Sequence, residues 1–169
     1  MSTSADDDWE LCPENGHPVA RTLLVPEFYW NCADDDSPLG NDTGADTFAF
    51  FQKELGQDPS LDVAAFLREL LSSWDMDFED WNELDPKRIA SMLTAAPFTV
   101  STADDAVIAL AFGMFIVTGR VDIRIRDWAK QATIREELDV MMKDRGWVSP
   151  DERLLRLKDM RSKLDLMPT

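Results

Sequence analysis

Residues 103–118 read ADDAVIALAFGMFIVT and are followed directly by Gly119. A helix that is apolar on every side is normally the central one, because any face turned to water would have to be polar. The sequence therefore predicts a buried helix over residues 103–118 with the other helices packed around it. Thr102 with Asp105 resembles a capping box for its start, and Gly119 is typical of its end.

Capping residues and apolar spacing predict five more helices along the chain. Asp42 or Thr43 can cap the first and Ser60 the second. Asp85 with Pro86 is a suitable start for the third. The predicted ranges are 42–56, 61–74, 86–96, 122–145 and 149–164. The predicted fold class is therefore mainly α, a bundle of about six helices.

The N-terminal part of the chain carries different signals. Residues 1–8 predict a disordered acidic tail. Pro13, Pro18 and Pro26 follow, between short apolar runs, and predict an extended segment or small β-hairpin rather than a helix. At 169 residues the chain fits one domain, which we expect to span residues 9–169.

Charge is distributed unevenly between the two halves. Residues 1–85 hold 21 acidic and 3 basic side chains, a net charge of -18, whereas residues 86–169 hold 12 and 14, a net charge of +2. The negative electrostatic field of the first half repels nucleic acids and anionic membranes, and it accelerates association with a basic protein surface. We therefore expect a basic protein partner, and neither a nucleic acid nor a membrane partner.

Three features of the sequence bear on the cellular compartment of the protein. The longest apolar run, residues 106–117, is shorter than the roughly 18 residues needed to span a bilayer. The acidic N-terminus does not resemble a secretory signal. Cys12 and Cys32 are too few to form a disulfide framework and are expected to be free thiols. Together these features predict a cytoplasmic protein.

Motifs of catalysis are sparse. His17 is the only histidine, and neither a nucleophile elbow nor a nucleotide-binding glycine motif occurs. Adjacent acids such as Asp104 and Asp105 are expected from the acidic composition alone. We therefore predict no catalytic residues, no cofactor and no enzymatic activity.

Two metal sites are conceivable but poorly matched. In the loop that starts at Asp35, Gly40 and Asp46 fall where a calcium loop has its glycine and last carboxylate, but Leu39 occupies a ligand position. Cys12, His17 and Cys32 lack the spacing and fourth ligand of a zinc site. No metal is predicted, although a metal-dependent enzyme using the acids of residues 34–46 remains a less favoured alternative.

Two acidic segments are the candidate partner-binding sites. One is the loop and helix start at residues 34–46, and the other, WDMDFEDWNELD at residues 74–85, alternates acids with aromatic residues, as interface hot spots do. Alternatively, the aromatic side chains point into the core and only the acids are exposed. The candidate residues are Asp34, Asp35, Asp36, Asp42, Asp46, Asp75, Asp77, Phe78, Glu79, Asp80, Trp81 and Glu83.

Residues 28–51, FYWNCADDDSPLGNDTGADTFAFF, resemble the aromatic, acidic G-N-D-x-G-x-D segment of bacterial MolR-like proteins. The same GND and following Asp resemble the opening of a small helical domain family of unknown function. Residues 103–122 are similar to the Ala-rich central helix and glycine turn of these families. The resemblance implies a helical fold and carries no activity with it.

Size, charge and sparse catalytic motifs favour an acidic protein-binding domain. The leading hypothesis is a bacterial immunity protein or inhibitor that covers the active surface of a basic, nuclease-like toxin. The alternative is a regulatory or scaffold domain that binds a peptide or helix.

Overall fold

A computed structural model describes residues 9–169, so the tail predicted at residues 1–8 lies outside the described part. Residues 9–169 form eight helices and no strand, which confirms the mainly α fold class. The helices are α1 (Pro18–Leu23), α2 (Asp42–Gln57), α3 (Val63–Ser73), α4 (Pro86–Ala95), α5 (Thr99–Thr118), α6 (Ile123–Glu136), α7 (Asp139–Arg145) and α8 (Pro150–Leu166). Two short 3-10 turns, Pro13–Asn15 and Glu27–Trp30, flank α1.

Helix α5 is the centre of the fold, as its apolar sequence predicts. It contacts α1, α2, α3, α4 and α6, and nearly every residue from Ala103 to Ile116 is buried. It begins at Thr99, earlier than predicted, and its N-cap is Phe98 in a left-handed conformation. The predicted capping box does not form, because Thr102 lies inside the helix, where its amide donates to the Phe98 carbonyl. The Asp105 carboxylate is instead bound by Arg145.

By length and composition alone, α5 is also long and apolar enough to cross a membrane, which the 12-residue apolar run does not predict. However, 78% of its most apolar window is buried inside the fold. The core helix of a globular protein meets the same criteria, so this feature is weak evidence for a membrane span.

The predicted extended N-terminal segment is wrong, because the chain forms α1 and the two 3-10 turns there. Pro18 is the first residue of α1 and the His17 imidazole accepts a hydrogen bond from the Val19 amide, so the proline starts a helix rather than preventing one. The His17 amide also donates to the Ile116 carbonyl at 2.7 Å. This bond ties the segment to the end of α5.

The predicted helix over 122–145 is in fact two helices, α6 and α7, separated by an extended Leu138. The break turns the chain so that Arg145, at the end of α7, reaches Glu136 at the end of α6 and Asp105 on α5. Other helix starts agree with the sequence, since Asp85 caps α4 and Asp122 caps α6. Asn41 caps α2 in place of Asp42 or Thr43, and Asp62 caps α3 in place of Ser60, as their side chains accept the first amides.

Two glycines that end helices allow the docking of α1 on α5 to be tested. Gly119 and Gly146 both have left-handed backbones, with φ of 74° and 62°. A Cβ at Gly119 would lie 2.3 Å from His17 Nδ1, whereas nothing lies within 4 Å at Gly146. We expect Gly146→Ala to lower the free energy of unfolding by about 1 kcal/mol, because an L-residue is disfavoured there. Gly119→Ala should cost about 1–3 kcal/mol more, through the collision with His17. Urea unfolding of both variants measures the difference, and equal losses would contradict this packing.

Candidate functional site

The predicted partner-binding residues divide into exposed and enclosed groups. Most of the acids lie on the surface, while three of them are more enclosed. Exposed are Asp35, Asp42, Asp46, Asp75, Asp77, Glu79 and Asp80; half-buried are Asp34, Asp36 and Glu83. The two segments therefore present negative charge to solvent.

The two aromatic candidates lie in the core. Phe78 and Trp81 are only 6% and 2% exposed. Their rings meet edge to face at 4.8 Å between centroids, and Trp81 stacks on Trp128 of α6 at 4.9 Å. Burial of their large apolar surfaces anchors the acidic segment to the bundle. They are therefore not available to a partner in this conformation, and the alternative in which only the acids are exposed describes the segment.

Beneath both segments lies a set of six charged side chains that we call the ionic network. It contains three carboxylates and three guanidinium groups, so its formal charges balance. Its members are Asp104, Asp105, Arg135, Glu136, Arg145 and Arg153. Asp104, Arg135 and Glu136 are fully buried. Buried charges require such pairing, because each alone carries a large desolvation cost.

Arg135 fixes the segment at residues 74–85. Its Nη2 donates to Asp104 Oδ1 at 2.6 Å on α5. Its Nη1 points the other way and donates to the Trp81 and Glu83 carbonyls at 3.2 and 2.8 Å. One guanidinium group thus links the central helix to the backbone that carries Asp77, Glu79 and Asp80.

Arg153 fixes the loop that precedes α2 in the same way. Its Nε donates to Glu136 Oε2 at 2.6 Å, and its Nη1 donates to the Asp36 carbonyl at 2.6 Å. Arg145 joins the two parts, because it pairs with Asp105 at 3.0 Å and with Glu136 at 3.2 Å. Arg135 and Glu136, which are adjacent on α6, are therefore connected to the two acidic segments, Arg135 directly and Glu136 through Arg153.

Within the loop, the polar side chains bind their own backbone. Asp34 Oδ1 accepts from the Asp36 amide at 2.9 Å, and Asn41 Oδ1 accepts from the Gly44 amide at 2.8 Å. Among residues 9–169, no group of three or more His, Cys, Asp or Glu side chains is placed to hold a metal ion. Cys12 and Cys32 are free thiols.

Burial and charge pairing shift the pKa of three members of the ionic network. Burial raises the pKa of Asp104 to about 6, against the opposing effect of Arg135. Burial also raises the pKa of Asp105, against the effect of Arg145. For Arg145, burial acts to lower the pKa, but Asp105 and Glu136 outweigh it and the pKa is raised. Arg145 therefore stays charged at any physiological pH.

A cleft of about 310 Å³ opens beside the network, between the loop and the residues after α7. Asp35, Asn41, Asp42, Asp105, Arg145 and Trp147 line it. Three carboxylates against one guanidinium give it a negative balance, which favours a cationic group over an anion.

The ionic network is the part of the site that the sequence does not predict. The acidic composition of the chain is enough to predict adjacent acids such as Asp104 and Asp105, so their adjacency does not indicate a network. The usable signal was their position, since two acids at the start of an otherwise apolar, central helix must find cationic partners. Their partners, Arg135 and Arg145, lie 31 and 40 residues away and have no local signature.

Removing a buried arginine tests the network. We expect Arg135→Met to lower the free energy of unfolding by about 3–5 kcal/mol, because three backbone carbonyls and Asp104 lose their donor. Arg88→Met is the matched control, since Arg88 pairs with Asp80 and Glu83 but its side chain is 64% exposed. That change should cost under about 1 kcal/mol. Urea unfolding at neutral pH compares the two, and similar losses would contradict a structural role for burial at Arg135.

The pH dependence of stability tests the environment of Asp104. Its pKa is about 6 in the folded chain, above the ordinary 3.8. A raised folded pKa adds stability below the unfolded pKa, and that stability is lost as the pH rises through 6. The stability of the wild type relative to Asp104→Asn should therefore fall by about 1 kcal/mol between pH 5 and pH 7. Urea unfolding of both proteins at the two pH values measures it, and a difference that is constant or grows with pH would be the contrary result.

Comparison with known proteins gives one relative of undetermined role. The chain is 25% identical over 134 residues, 79% of its length, to the "Uncharacterized protein YfeS" of Escherichia coli strain K12. The match covers 55% of that protein, so the chain spans about half the length of this relative. No family model matches the chain, and the resemblance to MolR-like proteins stays a prediction. No solved structure matches it either. The comparisons therefore show that the chain is similar to an uncharacterised bacterial protein.

Proposed function

We propose that this chain is an acidic protein-binding domain that acts as a bacterial immunity protein or inhibitor. Its partner is a basic, nuclease-like toxin, whose active surface it covers. The observation that carries the proposal is the attachment of two exposed acidic segments to one buried ionic network.

Rigid attachment matters because association has an entropic cost. A flexible acidic tail loses conformational freedom when it binds, whereas a segment already held in place loses little. Arg135 and Arg153 hold the backbones of the two segments from beneath through their carbonyl groups. The carboxylates of Asp77, Glu79 and Asp80 remain outside, where they can meet a partner.

The charge pattern fits an enzyme that handles nucleic acid. Such an enzyme uses Lys and Arg side chains to bind phosphates, and an array of carboxylates can occupy the same side chains. The cleft beside Arg145 adds a recess for one cationic side chain, with Asp35 and Asp42 in its lining. The same charge excludes nucleic acid and anionic membranes as partners, and the proposed compartment is the cytoplasm.

The experiment uses the protein encoded by the gene next to the gene for this chain, because the gene for an immunity protein is expected beside the gene for its toxin. This chain should bind that protein, suppress its nuclease activity and associate about tenfold more slowly when salt is raised well above physiological strength. Joint substitution of Asp77, Glu79 and Asp80 by Lys should slow association by about tenfold or more.

Joint substitution of Asp139, Asp144 and Asp151 by Lys is the control. These acids are also exposed, lie in the nearly neutral half and change the net charge equally. That variant should associate within about twofold of the wild type. Stopped-flow kinetics measure all three proteins. An association rate indifferent to both salt and the first substitution would refute the proposal.

A further inference from the structure

An apolar groove lies between α2 and α3, apart from the ionic network. It has a volume of about 340 Å³, and its floor includes Leu61, Phe66 and Leu70. Phe50 stands at its side with 44% of its surface exposed. The helices touch behind it, where the rings of Phe51 and Phe66 meet with centroids 6.2 Å apart. Exposed apolar surface of this kind, set in a recess, is typical of a binding site.

Acids surround the groove. Glu54, Asp62 and Glu69 are part of its lining. Asp62 forms an ion pair with Arg124 at 3.1 Å, and Arg124 also pairs with Asp122. Among residues 9–169 no ion pair involves Glu54 or Glu69. Two carboxylates without cationic partners beside an apolar floor are complementary to a segment that combines an apolar anchor with flanking cations.

The groove continues the acidic surface of the candidate site. Asp42, Asp46, Phe50 and Glu54 follow one another at four-residue spacing along α2. A step of four residues turns a helix by about 40° beyond a full turn, so successive members are neighbours in a row that winds gradually around α2. The exposed acids at the start of α2 and the exposed aromatic side chain thus form one stripe that leads into the groove.

We infer that the α2–α3 groove receives a short amphipathic helix of the basic partner. That helix inserts an apolar side chain against Phe50 and places Lys or Arg side chains near Glu54 and Glu69. The inference rests on the proposed function and completes it, because Phe78 and Trp81 are buried and cannot supply the apolar anchor. A helix in a groove between two helices is a recurrent mode of recognition, with anchors at helical spacing.

A synthetic peptide tests the groove directly. The probe is a helical peptide of about 18 residues with Leu and Trp along one face and Lys on its flanks. A second peptide keeps every Lys but has Ser in place of Leu and Trp. The full chain should bind the first peptide at least about tenfold more tightly than the second, as measured by isothermal titration calorimetry.

Substitutions in the chain locate the binding. Phe50→Ser should weaken binding of the apolar peptide about tenfold. Leu155→Ser is its control, since Leu155 is an exposed apolar residue of α8, 68% accessible, and binding should be unchanged. The joint change Glu54→Gln and Glu69→Gln should also weaken binding, whereas Asp139→Asn with Asp144→Asn should not. Because this acidic pair leaves Phe50 in place, it tests the groove even if Phe50→Ser disturbs the fold.

Two results overturn the inference. One is equal affinity for the two peptides, which would indicate attraction by charge alone. The other is equal loss of binding in the groove variants and their controls. With the basic partner itself, a loss of association on reversal of Asp77, Glu79 and Asp80 but none on Phe50→Ser would refute the groove and leave the proposed function intact. Insensitivity of association to salt and to both changes would refute the two together.

Discussion

The pairing of Arg135 with Asp104 is the interaction on which the rest of the structure depends. Both side chains are completely buried, so neither charge can be removed without leaving the other unpaired or the segment at residues 74–85 undocked. Glu136 and Asp105, the next residues along the same two helices, repeat the arrangement with Arg153 and Arg145. A buried ion pair contributes little net stability compared with apolar packing. What this network adds is position, because Arg135 and Arg153 donate to backbone carbonyls of the two segments. The apolar core holds the helices together, and the ionic network sets where the two surface segments lie.

Local sequence signals located the helices well. The apolar run at residues 103–118 gave the central helix, and Asp85, Asp122 and Gly119 marked ends correctly, because capping depends on neighbours only a few residues apart. The signals failed where distant contacts decide the conformation. A hydrogen bond from the His17 amide to the Ile116 carbonyl holds the start of α1 against the end of α5. The break before α7 allows Arg145 to form ion pairs with Asp105 and Glu136. Pro18 is a local start signal for α1, but the contact with α5 that holds α1 and the break before α7 have no trace in the nearby residues.

The negative charge of the candidate site could be predicted from the sequence, but the contacts that hold its two segments in place could not. Exposed acids at residues 34–46 and 74–85 follow from composition, since ionised carboxylates stay in water unless paired. The direction of Phe78 and Trp81 does not follow, because the segment that carries them is neither helix nor strand and has no period from which to read a buried face. The stacking of Trp81 on Trp128, 47 positions further along, decides it. Phe50 is a different case, because α2 has a helical period: its buried residues Gly44, Thr47, Phe48 and Phe51 mark one face, and Phe50 lies off that face.

The charge balance of the ionic network also constrains how this sequence can diverge. A change at one of the six positions leaves a buried charge or an empty hydrogen-bonding site, so tolerated changes must come in compensating sets. The exposed acids are under no such restriction and can be exchanged singly as a partner evolves. In distant relatives, the six positions of the ionic network should therefore be conserved together or change together, while the exposed acids vary independently. A lineage could in this way acquire a new specificity without rebuilding the frame that presents it.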